Sequence, residues 1–366
     1  MTASVNIAFF GSSLVSAYWN GAATYYRGIV RALAARGHRV TFYEPDAYDR
    51  QRHRDIPDPE WARVVVYPAD REDSALRALA EAAGSDLVVK ASGVGVFDAL
   101  LEREVLALKR PGTLVAFWDV DAPATLDRLG RDPGDPFAAL VPRYDLVLTY
   151  GGGDPVVRGY RALGARRCVP VYNALDPDTH HPVPGDPRFE ADLSFLGNRL
   201  PDREQRVAEF FVRAAKEARE ARFLLGGAGW GGLALPPNVR WVDHVYTRDH
   251  NAFHGTPRLA LNVSRESMAR YGFSPATRVF EAAGAAGCIV TDAWEGIELF
   301  LEPGREVLVA RDGHDVAEAV AAVSAETASA IGQAARRRVL AQHTYAHRAA
   351  QLEALLDGRA AAEARP

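Results

Sequence analysis

Short runs of β-branched and aromatic residues alternate with stretches of helical spacing through the first half of the chain. Val5–Phe10 has the length and composition of a strand, Gly11–Gly21 is typical of a loop, and Ala22–Ala35 carries apolar residues three and four apart. The same pattern predicts strands at Val40–Tyr43, Val64–Tyr67, Leu87–Lys90, Leu114–Trp118, Leu146–Thr149 and Cys168–Val171, and helices at Asp73–Ala83, Val96–Leu108 and Asp154–Leu163. Strands that alternate with helices in this way predict a parallel sheet covered on both faces.

The composition changes at Asn173–Pro187, which is rich in proline, aspartate and glycine and is typical of an interdomain linker. The alternation then restarts, with strands predicted at Leu193–Leu196, Phe223–Leu225, Val239–Val242, Leu259–Val263, Cys288–Thr291 and Val307–Val309, and helices at Asp202–Arg219 and Ala276–Ala285. Two or three alanine-rich helices are predicted after the last strand. The sequence therefore predicts two tandem Rossmann-like, doubly wound α/β domains, at residues 1–175 and 187–340, with a linker at 176–186 and a final helical segment at 341–366. Such sheets bind ligands at the carboxyl ends of their strands, so we expect the site in a cleft between the domains.

Length, charge and cysteine content narrow the class of protein. A chain of 366 residues is too long for one ordinary core and suits two domains. A formal net charge of -4, with acidic and basic residues interspersed, gives no indication of a nucleic-acid partner. The two cysteines, Cys168 and Cys288, lie in apolar runs, so we expect them to be buried and reduced in a cytoplasmic protein. The sequence predicts neither a signal peptide nor a membrane-spanning segment.

The strongest local pattern is Tyr271–Asp292, YGFSPATRVFEAAGAAGCIVTD. Ser274 is a good N-cap and is followed by proline, which predicts a helix start whose free amides suit a pyrophosphate. Ser274, Arg278 and Glu281 are spaced four and three apart, so they would share one helix face. Arg278 could bind phosphate through its planar guanidinium, and Glu281 could accept two hydrogen bonds from a ribose diol. The alternative is an ordinary capped helix that carries an exposed Arg–Glu pair.

Several motifs in both halves of the chain resemble one family. They are Thr277–Asp292 followed by Gly296–Phe300 and Gly304–Val309, together with Leu33–Val40, Val171–Pro182 and Ser194–Arg199. In this order they resemble the GT-B glycosyltransferases and, more narrowly, the CgeB-like (spore maturation) branch. The resemblance implies transfer of a sugar from a nucleoside-diphosphate sugar to an acceptor hydroxyl or amine, with the nucleotide held by the C-terminal domain. It also implies that no metal or further cofactor is needed and that the last helix returns to the N-terminal domain.

Carried onto this chain, the resemblance assigns a set of donor-binding candidates. They are Gly197, Asn198, Arg199, Arg203, Gly227, Trp230, Arg265, Tyr271, Ser274, Thr277, Arg278 and Glu281. The arginines would offset the charge that develops on the leaving diphosphate. Gly226–Gly232 matches G-x-G-x-x-G, but the residues after it are unsuited to the helix that a dinucleotide fingerprint requires. We therefore expect either a loop that flanks the donor, with Trp230 near a base or sugar, or a plain surface turn.

The acceptor side has its own candidates. The loop after the first strand offers small and polar groups, at Gly11, Ser12, Ser13 and Asn20. Lys90 ends a strand and could meet a phosphate, although an exposed lysine extending into solvent is equally consistent with its position. Asp119 or Asp121 could be the general base of an inverting enzyme, or could cap a turn.

The chain departs from the family at one position, and two other classes of function stay open. Many retaining members carry a first glutamate eight residues before the second; here Glu281 matches the second, but Phe273 stands in the place of the first.

The alternatives to a glycosyltransferase are another enzyme of this architecture, such as an epimerase or a phosphorylase, and a non-catalytic nucleotide-sugar-binding protein. His343 and His347 lie one helical turn apart without an evident third ligand, so we predict no metal site.

Overall fold

A computed structural model describes residues 4–18 and 20–363; residues 1–3, 19 and 364–366, including Trp19 of the first loop, lie outside this description. The chain divides into two compact units, one made of Met1–Tyr172 with Tyr345–Pro366 and the other of Asn173–Thr344. The stretch predicted as a linker, 176–186, falls within the second unit. Leu175 N donates to His343 O at 2.8 Å and Asn173 Nδ2 donates to Pro275 O at 2.9 Å, and these bonds tie the start of the segment to that unit.

In the described chain, the first unit contains a seven-stranded parallel sheet of order β3-β2-β1-β4-β5-β6-β7. Its strands are β1 Asn6–Phe10, β2 Arg39–Asp46, β3 Arg63–Pro68, β4 Leu87–Ala91, β5 Leu114–Asp119, β6 Leu146–Thr149 and β7 Cys168–Pro170. The order reverses at β1, which pairs with β2 on one side and β4 on the other. This reversal is the switch point of a doubly wound sheet, where loops at the carboxyl edge diverge.

Helices lie between most of these strands in the sequence, as expected for parallel strands joined by crossovers. They are α1 Ala23–Ala35, α2 Glu72–Glu81, α3 Asp98–Glu104, α4 Ala122–Arg131 and α5 Gly153–Ala162. The sequence pattern did not predict α4. Asp121 is the N-cap position of α4, and a proline occupies its first turn, where a missing amide hydrogen does no harm.

The second unit contains a six-stranded parallel sheet, within the described residues, of order β10-β9-β8-β11-β12-β13. Its strands are β8 Leu193–Leu196, β9 Phe223–Gly226, β10 Val239–Val242, β11 Leu259–Asn262, β12 Ile289–Asp292 and β13 Leu308–Ala310. The prediction of two doubly wound α/β domains is therefore confirmed. Both cysteines are free and buried, as expected.

The helices of the second unit include two that the sequence pattern missed. They are α6 Pro201–Val207, which continues through a π-helical turn at Ala208–Arg213 into α7 Ala214–Glu217, then α8 His250–Gly255, α9 Glu266–Tyr271, α10 Thr277–Gly284, α11 Gly313–Ala322 and α12 Ala325–Gln342. Helices α8 and α9 have six residues each, too few to show a helical period. Among the described helices, none is long and apolar enough to cross a lipid bilayer.

The last helix, α13 Tyr345–Glu363, belongs to the first unit. It packs on α1 so closely that a Cβ at Gly28 would lie 2.1 Å from the ring of Tyr345. Glu353 of α13 also forms an ion pair with Arg36 and lies 3.0 Å from His38 Nε2. The core of the first unit is thus built from both ends of the chain.

The start predicted for the donor helix is wrong. Helix α10 begins at Thr277, and Ala276 before it is extended, with φ -65° and ψ 152°. Gly272 and Phe273 both have positive φ, 70° and 48°, so the chain makes a tight turn just before the proline. Ser274 Oγ donates to Gly272 O at 2.8 Å, which stabilises this turn instead of capping the helix.

Helix α10 is held in place by close packing at its C-terminal end. Ala286 has a left-handed backbone, with φ 61°, and its carbonyl faces α12, where a Cβ at Gly332 would lie only 2.1 Å from Ala286 O. Backbone oxygen atoms cannot rotate away as a flexible side chain can. Glycine at 332 therefore sets the distance between α12 and the end of α10.

We predict that Gly332→Ala lowers the free energy of unfolding by about 2 kcal/mol, because the added methyl group forces α12 away from α10. Gly130→Ala is a matched control in α4, where nothing lies within 4 Å of the added Cβ. It should leave stability unchanged or raise it by about 0.5–1 kcal/mol. Urea unfolding followed by circular dichroism measures both, and equal midpoints for Gly332→Ala and the wild type would contradict the packing.

Candidate functional site

The loops that follow β8 and β9 lie side by side at the carboxyl edge of the second sheet. Gly197 N donates to Gly226 O, and Arg199 N donates to Ala228 O, each at 2.9 Å. In return, Asn198 Oδ1 accepts a hydrogen bond from Ala228 N at 3.0 Å. Because both strands are parallel, these bonds form a floor of backbone atoms where α/β sheets bind ligands.

The glycine-rich run allows this close approach. Gly227 has a φ of 121°, and a Cβ there would lie 2.4 Å from Gly197 O, so only glycine fits. After the run the chain reaches β10 as its next described element, and no helix intervenes. The structure therefore agrees with the sequence in excluding a dinucleotide fingerprint.

The suggestion that Trp230 contacts a base or sugar is not supported by its position. Its side chain is 2% exposed and lies in the hydrophobic core of the second unit. Trp230 Nε1 donates to Gly197 O at 2.7 Å. The indole therefore packs in the core and holds the Gly197 carbonyl from that side, and it does not face a ligand.

Two arginine side chains meet at this floor. A Cβ at Gly197 would lie 3.0 Å from Nη2 of both Arg203 and Arg278. Arg203 comes from α6 and Arg278 from the first turn of α10. These helices start from the ends of different strands, so the doubly wound topology brings together residues that are far apart in sequence.

Backbone and amide oxygens, not carboxylates, hold the two guanidinium groups. Arg278 Nε donates to Leu196 O, and its Nη1 donates to Asn262 Oδ1 at 2.7 Å. Arg203 Nη2 donates to Asn198 O at 2.5 Å. Arg203 Nε is buried and has no hydrogen-bond partner among the described residues. At least one donor of this pair is thus unused by the described residues.

The charge of this pair is incompletely neutralised. Within the described chain, neither guanidinium forms an ion pair with a carboxylate, whereas the neighbouring arginines do: Arg199 with Glu204, Arg206 with Asp292 and Arg265 with Asp202. Burial, and next the charge of Arg278, lowers the pKa of Arg203 to about 9. Burial lowers the pKa of Arg278 to about 10. Both remain charged at neutral pH, and an anion bound between them would relieve their repulsion.

The other donor-side candidates lie in or next to α9 and α10. Arg265 is the N-cap residue of α9 and its Nε donates to Asp202 at 2.5 Å, while Tyr271 ends the same helix. Thr277 opens α10. Ser274 is 3% exposed and lies outside α10, so it does not share a helix face with Arg278 and Glu281 as predicted.

Glu281 lies in α10 among histidines that the sequence analysis did not connect with it. His180, from the segment after β7, and His250, the first residue of α8, each offer a ring nitrogen, and these atoms and a carboxylate oxygen of Glu281 all lie within 4.8 Å of one another. Burial lowers the pKa of His180 to about 4 and also lowers the pKa of His250, so both rings are neutral at pH 7.

Sequence reasoning missed this cluster because its members come from three distant segments. The sequence offers only a weak signal for it, since His180 lies in the presumed linker and His250 is paired at helical spacing with His254, which is not one of the three residues. The pair that was considered, His343 and His347, belongs to different units.

In the first unit, the loop candidates after β1 stabilise the loop itself. Ser12 Oγ donates to Asn20 Oδ1, and Ser13 Oγ donates to Glu44 Oε1, each at 2.9 Å. Asn20 Nδ2 donates to Ser13 O at 2.9 Å. Gly11 is required because a Cβ there would lie 2.4 Å from the Phe42 ring. These side chains are buried, so the loop would present its backbone rather than these side chains to a ligand.

Lys90 is neither the exposed lysine nor the phosphate ligand that its position suggested. Its side chain is completely buried, and Nζ lies 2.6 Å from Asp98 and 3.7 Å from Glu102. Strand β4 is covered on both faces, which the sequence did not indicate at this position. The lysine therefore neutralises carboxylates on α3.

Asp119 is not placed to act as a general base. It is 0% exposed and accepts hydrogen bonds from Ser92 Oγ at 2.7 Å, Asp121 N at 2.9 Å and Tyr160 OH at 2.5 Å. Burial, and next the charge of Asp119, raises the pKa of Tyr160 well above its ordinary value, so the phenol stays a donor. Asp119, at the end of β5, therefore links this strand to the start of α4 and to Tyr160 of α5. Asp121 is only partly buried and stays the candidate base.

We predict that Asp119→Asn lowers the free energy of unfolding by about 1–3 kcal/mol, because the amide cannot accept all three of these hydrogen bonds. Asp70→Asn serves as the control, since its side chain is 73% exposed, and should change stability by less than about 0.5 kcal/mol. Thermal and urea unfolding measure both variants. An Asp119→Asn protein that is as stable as the wild type would contradict the structural role.

Comparisons with known proteins agree with the fold described above. Residues 203–354 match the sequence profile of a family described as "Glycosyl transferase-like", whereas comparison with functionally curated proteins gave no match. Sucrose-phosphate synthase from Thermosynechococcus elongatus superimposes with a TM-score of 0.69 at 14% identity, covering 98% of this chain and 100% of that chain. Anabaena Alr3699/HepE in complex with UDP and glucose gives 0.66 at 12%, covering 97% and 100%. The chain therefore has the fold of GT-B glycosyltransferases, and its residues 203–354 carry the pattern of a glycosyl transferase-like family.

Proposed function

We propose that the protein is a glycosyltransferase that transfers a sugar from a nucleoside-diphosphate sugar to an acceptor hydroxyl or amine. The observation that carries the proposal is the pair formed by the buried Arg203 and the half-buried Arg278, which lies at the carboxyl edge of the second sheet without a carboxylate ion pair in the described chain. Solved structures that share the fold include complexes of Anabaena Alr3699/HepE with UDP and with UDP-glucose. These support a nucleotide sugar as the ligand class.

The arginine pair matches the electrostatic demand of the reaction. When the bond between the anomeric carbon and the diphosphate breaks, negative charge grows on the leaving oxygen. Two guanidinium groups fixed before the reaction stabilise this charge without reorganising. A pair of protein cations can supply what a metal ion would otherwise supply, so we propose that transfer itself is metal-independent.

The remaining donor residues fit around the diphosphate. We propose that Glu281, one turn along α10 from Arg278, accepts hydrogen bonds from the ribose hydroxyls. The glycines at 197 and 227 let the diphosphate approach the backbone, and Arg199, Arg265, Tyr271 and Thr277 flank it. We also propose that the protein belongs to the narrower CgeB-like branch.

Phe273 supplies no acid or base where many retaining relatives carry a glutamate. Its ring packs so closely on Gly296 that a Cβ there would lie 2.2 Å from it. Of the two base candidates, the burial of Asp119 leaves Asp121, at the start of α4, for deprotonating the acceptor hydroxyl. We therefore propose Asp121 as the general base.

A thermal-shift screen against UDP, GDP, dTDP, ADP and CMP and their common sugars, with EDTA present, tests the donor proposal. A ligand that binds only the folded protein at one hundred times its Kd stabilises it by about 2.7 kcal/mol. We expect one nucleoside diphosphate to raise Tm clearly and to do so with EDTA present. No shift with any of them, in a folded sample, would contradict the proposal.

For the nucleotide so identified, we predict that Arg203→Gln weakens nucleoside-diphosphate binding at least about tenfold, since a charged hydrogen bond to phosphate is lost. Binding of the matching nucleoside should not change. Arg305→Gln, whose side chain is 73% exposed, is the control and should bind like the wild type. If Arg203→Gln binds the nucleoside diphosphate as tightly as the wild type does, the arginine pair is not part of the donor site. If the protein binds the nucleotide sugar but releases no nucleoside diphosphate with any acceptor, the non-catalytic alternative is favoured.

We predict that Glu281→Gln weakens binding of the identified nucleoside diphosphate about tenfold in EDTA, but does not weaken binding of its 2′,3′-dideoxy analogue. The comparison isolates the ribose hydroxyls, because both ligands carry the same base and diphosphate. Isothermal titration calorimetry measures the four affinities. If the substitution weakens both ligands equally, Glu281 does not contact the ribose.

A further inference from the structure

We propose that His180, His250 and Glu281 form a binding site for a divalent cation of the zinc type. Their ligating atoms lie within 4.8 Å of one another, although the residues come from the segment after β7, from α8 and from α10. The site shares Glu281 with the donor site proposed above, but binding of the ion does not depend on which nucleotide is bound.

Two imidazole nitrogens in this cluster are buried without a partner. His180 is 2% exposed, and its Nε2 has no hydrogen-bond partner among the described residues. The same holds for His250 Nδ1. Buried polar atoms are nearly always satisfied, so two orphaned ring nitrogens beside one carboxylate point to a ligand that binds all three.

The tautomer of His250 suits metal binding. Its Nε2 lies 3.3 Å from Val245 O, so this nitrogen carries the hydrogen and donates to the carbonyl. The lone pair is then on Nδ1, the buried nitrogen. Histidines that bind metals are commonly fixed in this way by a carbonyl that accepts the hydrogen of the other ring nitrogen.

The chemistry of the set selects a cation over an anion. Glu281 would repel an anion, and it would supply part of the charge that a divalent ion requires. Two imidazoles with one carboxylate form a typical zinc ligand set, with bonds of about 2.0–2.2 Å and a fourth position for water. Tetrahedral coordination places ligand atoms about 3.4 Å apart, so a modest contraction of the cluster would close around the ion.

A cation here would fix the segment after β7 to the donor helix. The segment already lies directly on α10, since a Cβ at Gly284 would be 2.8 Å from His180 O. The ion would link this segment, and also α8, to Glu281, which lies one helical turn after Arg278 in α10. The role is structural: the ion would orient the carboxylate of Glu281.

Metal content of the full-length protein tests the proposal. The protein is stripped with EDTA, loaded with Zn²⁺ or Co²⁺, passed through a desalting column and analysed by mass spectrometry of the elements and by visible absorption. We expect one Zn²⁺ per chain, a higher Tm with Zn²⁺ than with EDTA, and a Co²⁺ absorption band. His250→Ala should bind Zn²⁺ at least tenfold more weakly and lose the Co²⁺ band.

His244→Ala is the matched control, because this histidine is exposed and lies only six residues from His250. It should keep the wild-type stoichiometry and the Co²⁺ band. Glu281→Gln is the second ligand variant, and circular dichroism establishes that each variant is folded. The proposal is overturned if the wild type retains no Zn²⁺, or if His250→Ala and Glu281→Gln both retain as much as His244→Ala.

Discussion

At the carboxyl edge of the second sheet two like charges lie side by side, one buried and the other half-buried. Arg203 and Arg278 meet over one glycine and both lie on the face of the Phe195 ring, 5.7 and 5.0 Å from its centroid. Desolvation and mutual repulsion both oppose this arrangement. Carbonyl oxygens, an asparagine amide and an aromatic face offset part of that free energy, but none of them supplies a full negative charge.

This constraint explains why the loops around the pair are so tightly specified. The glycines at 197 and 227 bring two strand ends into backbone contact, and the indole of Trp230 binds the same carbonyl from the core side. Any side chain at these glycines would displace a guanidinium or a carbonyl. The run that resembles a dinucleotide fingerprint therefore has another physical origin, the close crossing of two loops.

Much of the fold was predictable because parallel sheets leave a strong local pattern. Leu146–Thr149, Leu193–Leu196 and Val239–Val242 are strands with the predicted bounds, since each is a short apolar run bounded by polar or turn-forming residues. The start of α10 was wrong because a turn at two residues with positive φ competes with the Ser-Pro capping signal. Such a turn depends on the packing of Phe273 against Gly296, which no local pattern reveals.

Site residues could be predicted only where they lie in contiguous sequence motifs. The arginines and Glu281 follow from a resemblance carried by contiguous motifs. Burial is a property of the whole sheet, so the sequence did not show that Lys90 and Asp119 are enclosed. The histidine cluster was invisible for the same reason: His180, His250 and Glu281 are each ordinary in their own segment, and only the crossing of three segments makes them neighbours.

The path of the chain through the two units has a consequence for how the protein is made. The second unit is continuous from Asn173 to Thr344, whereas the first also needs α13. Because the ring of Tyr345 packs on Gly28, the first unit lacks part of its core until α13 has left the ribosome. During synthesis the second unit can complete its core first, and the N-terminal half must wait, with the α1 surface exposed, for the C-terminal helix.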